Sequence, residues 1–578
     1  LNFCRNRLVF VLPFFQGWKA AAGGASNLAT VFFNPKMSLP GSDDIAMLSI
    51  PHKILWGLSG VLLLCLNACT TLGPDFSPPR ADVSPQWIEA GDSRLMADPA
   101  ELRDWWKVFD DPILDGLIAE AAGGNIPLKI AGVRIYQARA VLGIAVGELF
   151  PQLQQGFGSL AYNRTSERAP SAPQPGAPGD PDFSFKQGEI GLGVSWEIDF
   201  WGRFRRAVES AEADFFSSVA NYDSALVSLT ADVAVNYVLY RTFEERIRIA
   251  RENLQTQQES LRIARSRFEN GATSERDVQQ ALTQLNSTEA TIPLLETGMR
   301  KTRNALGILL GKVPGEMAAA LGATGEVPVA PPTAAVGIPA ELIRRRPDIR
   351  RAELQAAAQS ALIGVAKADL YPAFSLGGSF GFLASDVGAF SLDNIFDWRS
   401  RTGFIGPSFR WNLFNYGRIA NNVRLQDARF QELLLYYQDT VLRAQQEVED
   451  GLVEFLRGQE RVVLLTRAVV AARRSLELAL IQYREGATDF TTVLTALQAL
   501  LGQEDLLAES LGDVPLGLIA VYRALGGGWE IREGKAFIST EVRQEMESRT
   551  DWGGLLTPPV VPVGGGDFRP SPKFRPDW

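Results

Sequence analysis

Few residues in this 578-residue chain have the types needed for chemistry, and most of those sit near its start. There is one histidine, His52, and there are three cysteines, Cys4, Cys65 and Cys69. Cys69 closes the run Leu66-Asn67-Ala68-Cys69, which looks like a bacterial lipobox, a context in which the thiol takes a lipid and the cysteine becomes the new N-terminus. Processing there removes His52, Cys4 and Cys65, leaving no histidine and one cysteine. Disulfides, histidine general acid–base catalysis, histidine triads and His- or multi-Cys metal sites are then all excluded. A carboxylate-only or lysine-based active site is the enzymatic alternative left open, and no constellation of residues supports it. The expectation is no enzyme, no cofactor beyond a covalent lipid on Cys69, and no metal.

The elements around Cys69 fit that chemistry. From Met47 a short head carries His52 and Lys53, followed by 15 apolar residues from Ile54 to Ala68. That is short for a helix crossing about 30 Å of hydrocarbon at ~1.5 Å per residue, and it suits the apolar region of a signal peptide. Residues 47–68 are read as a lipoprotein signal, and residues 1–46, which begin at Leu1, as a start-site artefact. Thr70 follows the cysteine, and the absence of aspartate there resembles lipoproteins sent on to the outer membrane. Cutting before Cys69 takes away five basic and two acidic residues, moving the net charge from −9 to −12. A nucleic-acid partner calls for the opposite bias.

The rest of the chain is a duplication. Trp196-Glu197-Ile198-Asp199-Phe200-Trp201-Gly202-Arg203 matches Trp411-Asn412-Leu413-Phe414-Asn415-Tyr416-Gly417-Arg418 at an offset of 215, and Phe268 to Thr273 matches Tyr483 to Thr488 at the same offset. Upstream, Phe150-Pro151 matches Tyr371-Pro372 at 221, so six residues are gained between Pro151 and Trp196, an interval holding the Pro-rich run Ala169 to Gly176. A period this long marks a repeated domain-sized unit, far beyond any solenoid.

Each unit reads as helix, strand hairpin, very long helix, tight turn, helix. Ile190, Leu192, Val194, Trp196, Ile198 and Phe200 alternate with Gly191, Gly193, Ser195, Glu197 and Asp199, which is strand periodicity with one apolar face. Ile405, Phe409, Trp411 and Leu413 repeat the pattern, and Phe374, Leu376, Phe380 and Phe382 give a partner strand. Such segments suit a membrane barrel, with an ordinary soluble hairpin as the alternative. Arg203 to Phe268 contains no proline or internal glycine; as one helix, its 66 residues span about 100 Å. Arg418 to Tyr483 repeats it, weakened by Gly451 and Gly458. Return helices follow, the first from Thr273 to Leu310 with a kink expected at Pro293, and the helix before the first hairpin covers Pro127 to Glu148. Four strands cannot close a barrel alone, so a membrane reading requires several copies.

The duplicated strand and helix hairpins, the lipobox, the Gly-Ala-Thr turns and the ending Ala524-Leu525-Gly526-Gly527-Gly528-Trp529 together resemble the OprM/NodT branch of the TolC-like efflux-channel family over roughly Cys69 to Trp529. The resemblance implies an α+β membrane protein: a duplicated unit with four transmembrane β-strands per chain, a shared trimeric β-barrel, and long antiparallel α-helices forming a periplasmic α-barrel. The boundaries expected are 69–125 for an N-terminal anchor and equatorial segment, 126–311 and 346–529 for the two repeats, 312–345 for a linker, and 530–578 for a disordered Pro/Gly-rich tail. It implies an outer-membrane homotrimer reaching into the periplasm, serving as the passive exit duct of a tripartite RND-type pump, with a periplasmic adaptor and a proton-driven inner-membrane transporter as partners and no nucleic acid. A type I protein-secretion channel and a lipid-anchored periplasmic helical scaffold stay open as alternatives. The adaptor would dock at the tip turns, Gly271 and Gly486, where glycine permits positive φ. Relatives carry a ring of acids six and nine residues beyond the second tip glycine; here Thr492 and Thr495 stand there. Asp277 and Asp489 are the substitute gate candidates, each also suited to a plain helix N-terminus. Tyr483 matches the family tyrosine that helps hold the entrance shut.

Overall fold

The computed structural model describes residues 71–97, 101–166, 183–322, 325–386 and 391–558. The expected signal, Cys69, most of the Pro-rich insertion and residues 559–578 lie outside the described residues. The description concerns the unit that begins at Ala68.

Helices α1 (Pro112–Gly124) and α2 (Ile126–Gly147) lead into strands β1 (Leu153–Arg164) and β2 (Ser184–Ile198), then α3 (Arg203–Glu269) and α4 (Glu275–Leu310). The second unit follows as α5 (Pro347–Ala368), β3 (Ala373–Ser385), β4 (Arg401–Arg410), α6 (Arg418–Arg484) and α7 (Phe490–Ala524), with α8 (Thr540–Arg549) after it. The duplication is physical. Both α2 and α5 have 22 residues, set 221 apart, and both α3 and α6 have 67, set 215 apart. Even the indole contacts repeat: Trp196 Nε1 donates to the Leu149 carbonyl at 3.2 Å and Trp411 Nε1 to the Leu370 carbonyl at 3.0 Å.

These four strands form one antiparallel sheet in the order β1-β2-β3-β4, so the two hairpins join through β2 and β3, while among the described residues β1 and β4 are open edges. Ile190 lies opposite Phe382 and Leu192 opposite Phe380, and this face also carries Leu160, Ile405 and Phe409, most of it exposed. The opposite face holds Gln155, Ser159, Glu189 and Ser379 with several glycines. Relative to the first hairpin, the second is slipped by one residue, which sets Phe409 beside Phe374, ring centroids 6.4 Å apart. The expected strand through Trp411 and Leu413 is corrected: β4 ends at Arg410, because the next partner on β3's side is Pro372, which has no N–H to donate.

Helix α3 stays unbroken because no proline or glycine interrupts it, and it packs closely because Ala213, Ala231, Ala234 and Ala264 on its buried face carry almost no side chain. Helix α5 wedges between α3 and α6 on an alanine surface that includes Ala352, Ala356, Ala357 and Ala361. Gly451 and Gly458, weak points by propensity, are places where α7 approaches α6: an added Cβ would meet Val521 at 3.0 Å and Val514 at 3.2 Å. The glycine run 526–528 is a stitch for the same reason. Gly527 abuts Trp105, Gly528 abuts Thr230, and the Gly528 amide donates to the Leu102 carbonyl at 2.9 Å. Trp105 stacks on Tyr522 in the centre of the main core. A separate apolar cluster, with Leu476, Phe490 and Leu497, fills the far end of the helices.

The expected disorder of the tail is corrected for residues 530–558. Phe537, Ile538, Met546 and Leu556 are buried in the main core, Arg532 forms a buried ion pair with Asp223 and lies against the Trp529 and Phe537 rings, and Arg139 donates to the Leu555 carbonyl at 2.6 Å. Average composition hid these few anchors. The return helix starts at Glu275, two residues later than expected, and runs through Pro293 to Leu310.

Both long helices begin at a glycine in the left-handed region, Gly202 at φ 77° and Gly417 at φ 82°. Gly417→Ala should cost about 1–2 kcal/mol from backbone strain alone. Gly202→Ala should cost more, because its Cβ would stand 2.7 Å from Thr71. Thermal unfolding of the two variants checks the order, and limited proteolysis should find the segment at Thr71 released only in Gly202→Ala.

Candidate gate at the helical tips

The two tip turns are the same structure. Gly271 at φ 69° and Gly486 at φ 77° close their helices, with the Ala272 amide donating to the Arg267 carbonyl and the Ala487 amide to the Gln482 carbonyl, each at 2.8 Å. This is a Schellman-type end, which satisfies carbonyls that the helix leaves open and needs a residue free to take positive φ.

What the tips hold between them is not symmetric. Tyr483, in the last turn of α6, is 1% exposed and packs its ring edge-on against Phe490, centroids 5.4 Å apart. Its hydroxyl donates to Asp277 Oδ2 at 3.5 Å, and Thr273 Oγ1 donates to the same oxygen. Asp277, on the first turn of α4, is 3% exposed. Burial, reinforced by the Asp277 charge and opposed by Thr273, pushes the Tyr483 phenol above its ordinary value, so it stays protonated and able to donate. Arg267, from the last turn of α3, lies over the Tyr483 ring with its guanidinium carbon 4.7 Å from the centroid. It donates to the Tyr483 carbonyl and, at 3.2 Å, to the Arg484 carbonyl, so a cation from one tip caps the helix end of the other.

Two of the three gate candidates from the sequence, Tyr483 and Asp277, therefore meet in one buried cluster. Asp489 does not join it. That carboxylate is exposed and accepts from the Thr492 amide at 3.2 Å and from the Thr492 hydroxyl at 3.1 Å, an N-cap for α7. Thr495 donates to the Thr491 carbonyl at 2.9 Å within its own helix. Sequence reasoning missed Arg267 and Thr273. A signal existed: Arg267, Phe268 and Asp277 align with Gln482, Tyr483 and Thr492 across the repeat, so at these positions both charges lie at the first tip and the phenol at the second, beside the shared Gly-Ala-Thr.

Higher up, polar contacts lace the two hairpins together. Arg246 forms a two-point ion pair with Asp505 at 2.8 and 2.9 Å, and Asn253 donates to Glu504 at 2.7 Å. The tip cluster spends the Thr273 and Tyr483 hydroxyls as donors to one Asp277 oxygen. Its chemistry is that of a latch, built from hydrogen bonds and one cation on a ring.

Comparison with known proteins agrees with this architecture. The family model described as outer membrane efflux protein matches residues 117–312 and 338–527, one match for each repeat. The pyoverdine export outer membrane protein OpmQ of Pseudomonas putida is 31% identical over 474 residues, covering 81% of this chain and 96% of that one. Nodulation protein T of Rhizobium leguminosarum bv. viciae is 31% identical over 478 residues, covering 82% and 93%. Among solved structures, the outer-membrane channel OprN aligns with a TM-score of 0.73 at 33% identity, over 80% of this chain and all of that one. The chain belongs to the outer membrane efflux protein family and is a TolC-like outer-membrane channel component of an efflux pump.

Proposed function

We propose that three copies close around a common axis into one passive exit duct for small molecules, joined at its helical tips by a periplasmic adaptor to a proton-driven inner-membrane transporter. The carrying observation is that the second repeat completes contacts for the first, while among the described residues the matching helix and strand contacts on its own far side are not made. Helix α5 packs against both long helices, α3 and α6; its counterpart α2 packs against α3 and leaves Ile126, Ile130, Val141 and Ile144 exposed on another side. Helix α6 in turn exposes Leu435, Leu442, Val463 and Val470. Strands β2 and β3 are paired on both edges, and β1 and β4 on one. A next copy supplies every missing neighbour: β1 for β4 and α2 for α6. Three copies give twelve strands, above the roughly eight that the smallest barrels use. The number three rests on family resemblance.

The apolar sheet face then meets lipid and the polar face lines the pore. The boundaries 69–125, 126–311, 312–345 and 346–529 describe the chain's division in this reading, with the two matched segments of the family model in support. A lipid on Cys69 would sit close to the sheet. Leu72 donates its amide to the Trp201 carbonyl at 3.1 Å, and Arg206 donates to the Leu72 carbonyl at 3.0 Å, which ties the segment just after Cys69 to the end of the first hairpin. The tip turns at Gly271 and Gly486 are the docking points for the adaptor, and the Tyr483–Asp277–Arg267 latch holds the entrance narrow.

Two outcomes test this. Purified protein in a planar bilayer should give discrete conductance steps, with chemical crosslinking stopping at three chains; a folded monomer that carries no current, even with the latch removed, would favour the lipid-anchored scaffold. In the same bilayer Tyr483→Phe loses one long hydrogen bond, at most about 1 kcal/mol, so the closed-to-open ratio should fall by up to roughly fivefold per chain. Asp277→Asn should act in the same direction, whereas Asp489→Asn, which keeps a capping oxygen, should leave the currents as they were; equal effects from all three would remove the latch from the gate.

A further inference from the structure

The two strand-to-helix junctions occupy equivalent positions but are finished differently. In the first, Trp201 lies on Tyr371, ring centroids 4.7 Å apart, and donates from Nε1 to the Pro372 carbonyl at 2.9 Å. Asp199 accepts from the Phe204 and Arg205 amides at 3.1 and 3.0 Å, which caps α3. That junction is self-contained.

At the second junction, 215 residues on, Trp201 becomes Tyr416 and Asp199 becomes Phe414. Tyr416 is 101% exposed and Phe414 91%. Phe414, in the place of Asp199, has no carboxylate to cap α6, and among the described residues an added Cβ on Gly417 would meet Asn421 alone, where Gly202 meets Thr71. Tyr416 also holds φ at 50°, in the left-handed region. A bulky residue there is strained, and such strain persists where surrounding structure enforces it. A polar cap has been exchanged for bare aromatic surface.

We propose that this junction is a contact between copies, with Tyr416 and Phe414 of one copy seated on the Phe150–Pro151 corner of the next. The seat is assigned by the duplication. Tyr371-Pro372, which receives Trp201, lies 221 residues beyond Phe150-Pro151. Within the chain, that seat is brought to Trp201 because β3 pairs with β2. Between copies, β1 pairing with β4 brings Phe150-Pro151 to Tyr416 by the same geometry. An aromatic ring again meets an aromatic ring, a pairing that adds specificity beyond area. This contact rests on the cyclic assembly proposed above, and it adds which residues lock neighbouring copies at the sheet's helical end.

The test places the photoreactive residue p-benzoylphenylalanine at position 416 of the full chain in its membrane. Irradiation should give a ladder of dimer and trimer on a denaturing gel, with the adduct mapped to the peptide carrying Phe150 and Pro151 of another copy. A second readout is the pair Tyr416→Cys with Phe150→Cys, which should form a disulfide between chains under mild oxidation. Adducts on lipid alone, or within one chain, would overturn the contact. Native mass spectrometry of the same sample separates the two levels: an intact trimer lacking both crosslinks sinks this contact and leaves the duct standing, whereas no trimer sinks both.

Discussion

An unpaired backbone amide or carbonyl facing hydrocarbon costs several kcal/mol, and a strand edge presents a row of them. This constraint governs the molecule. Among the described residues strands β1 and β4 each lack a second neighbour, and their sheet carries an exposed apolar face with Leu192, Phe380 and Phe409. In water that face would be a liability, and in lipid it is favourable only once both edges are closed. In the proposed duct, assembly is what closes the sheet in a membrane, and the helices that continue from the same strands would be carried into register with those of neighbouring copies.

Duplication is how one chain meets this condition. A repeat places the same surfaces at two positions, so each contact that the second unit makes with the first predicts one that the first makes with another copy. In the proposed assembly, contact α5 to α3 corresponds to α2 with α6 of a neighbour, and β2 with β3 to β4 with β1 of a neighbour. The repeats then diverge where their roles differ. The first junction closes on itself through Asp199 and Trp201, the second presents Phe414 and Tyr416, and at the tips charge and phenol are divided between Asp277, Arg267 and Tyr483. A latch of that kind joins the two hairpins of one chain, while the equivalent positions facing outward, Phe268, Gln482 and Thr492, carry no charge.

Much of this was legible in the sequence because it is local or periodic. Alternation from Ile190 to Phe200 gave the strand, which ends two residues sooner at Ile198, the absence of proline and glycine from Arg203 to Phe268 gave the long helix, and glycines 271 and 486 gave the turns. What escaped depends on distant partners. The end of β4 is set by Pro372 on another strand, Gly451 and Gly458 matter because α7 touches them, and the order of residues 530–558 depends on a core to receive Phe537, Met546 and Leu556. Arg267 was missed at the tips for the same reason, since its partners are carbonyls of Tyr483 and Arg484 more than two hundred residues away. Asp489 was open to two readings, a gate acid or a plain acid at a helix N-terminus, and the structure shows it capping α7 through Thr492, three residues on.

The most direct test of the central claim is amide hydrogen exchange on the membrane-embedded protein, comparing the outward-facing amides of β1 and β4 with those of β2 and β3. If copies complete one another, all four strands exchange equally slowly. Fast exchange along β1 and β4 beside a protected β2–β3 pair would mean the sheet stays open, and the assembly built on its closure would fall.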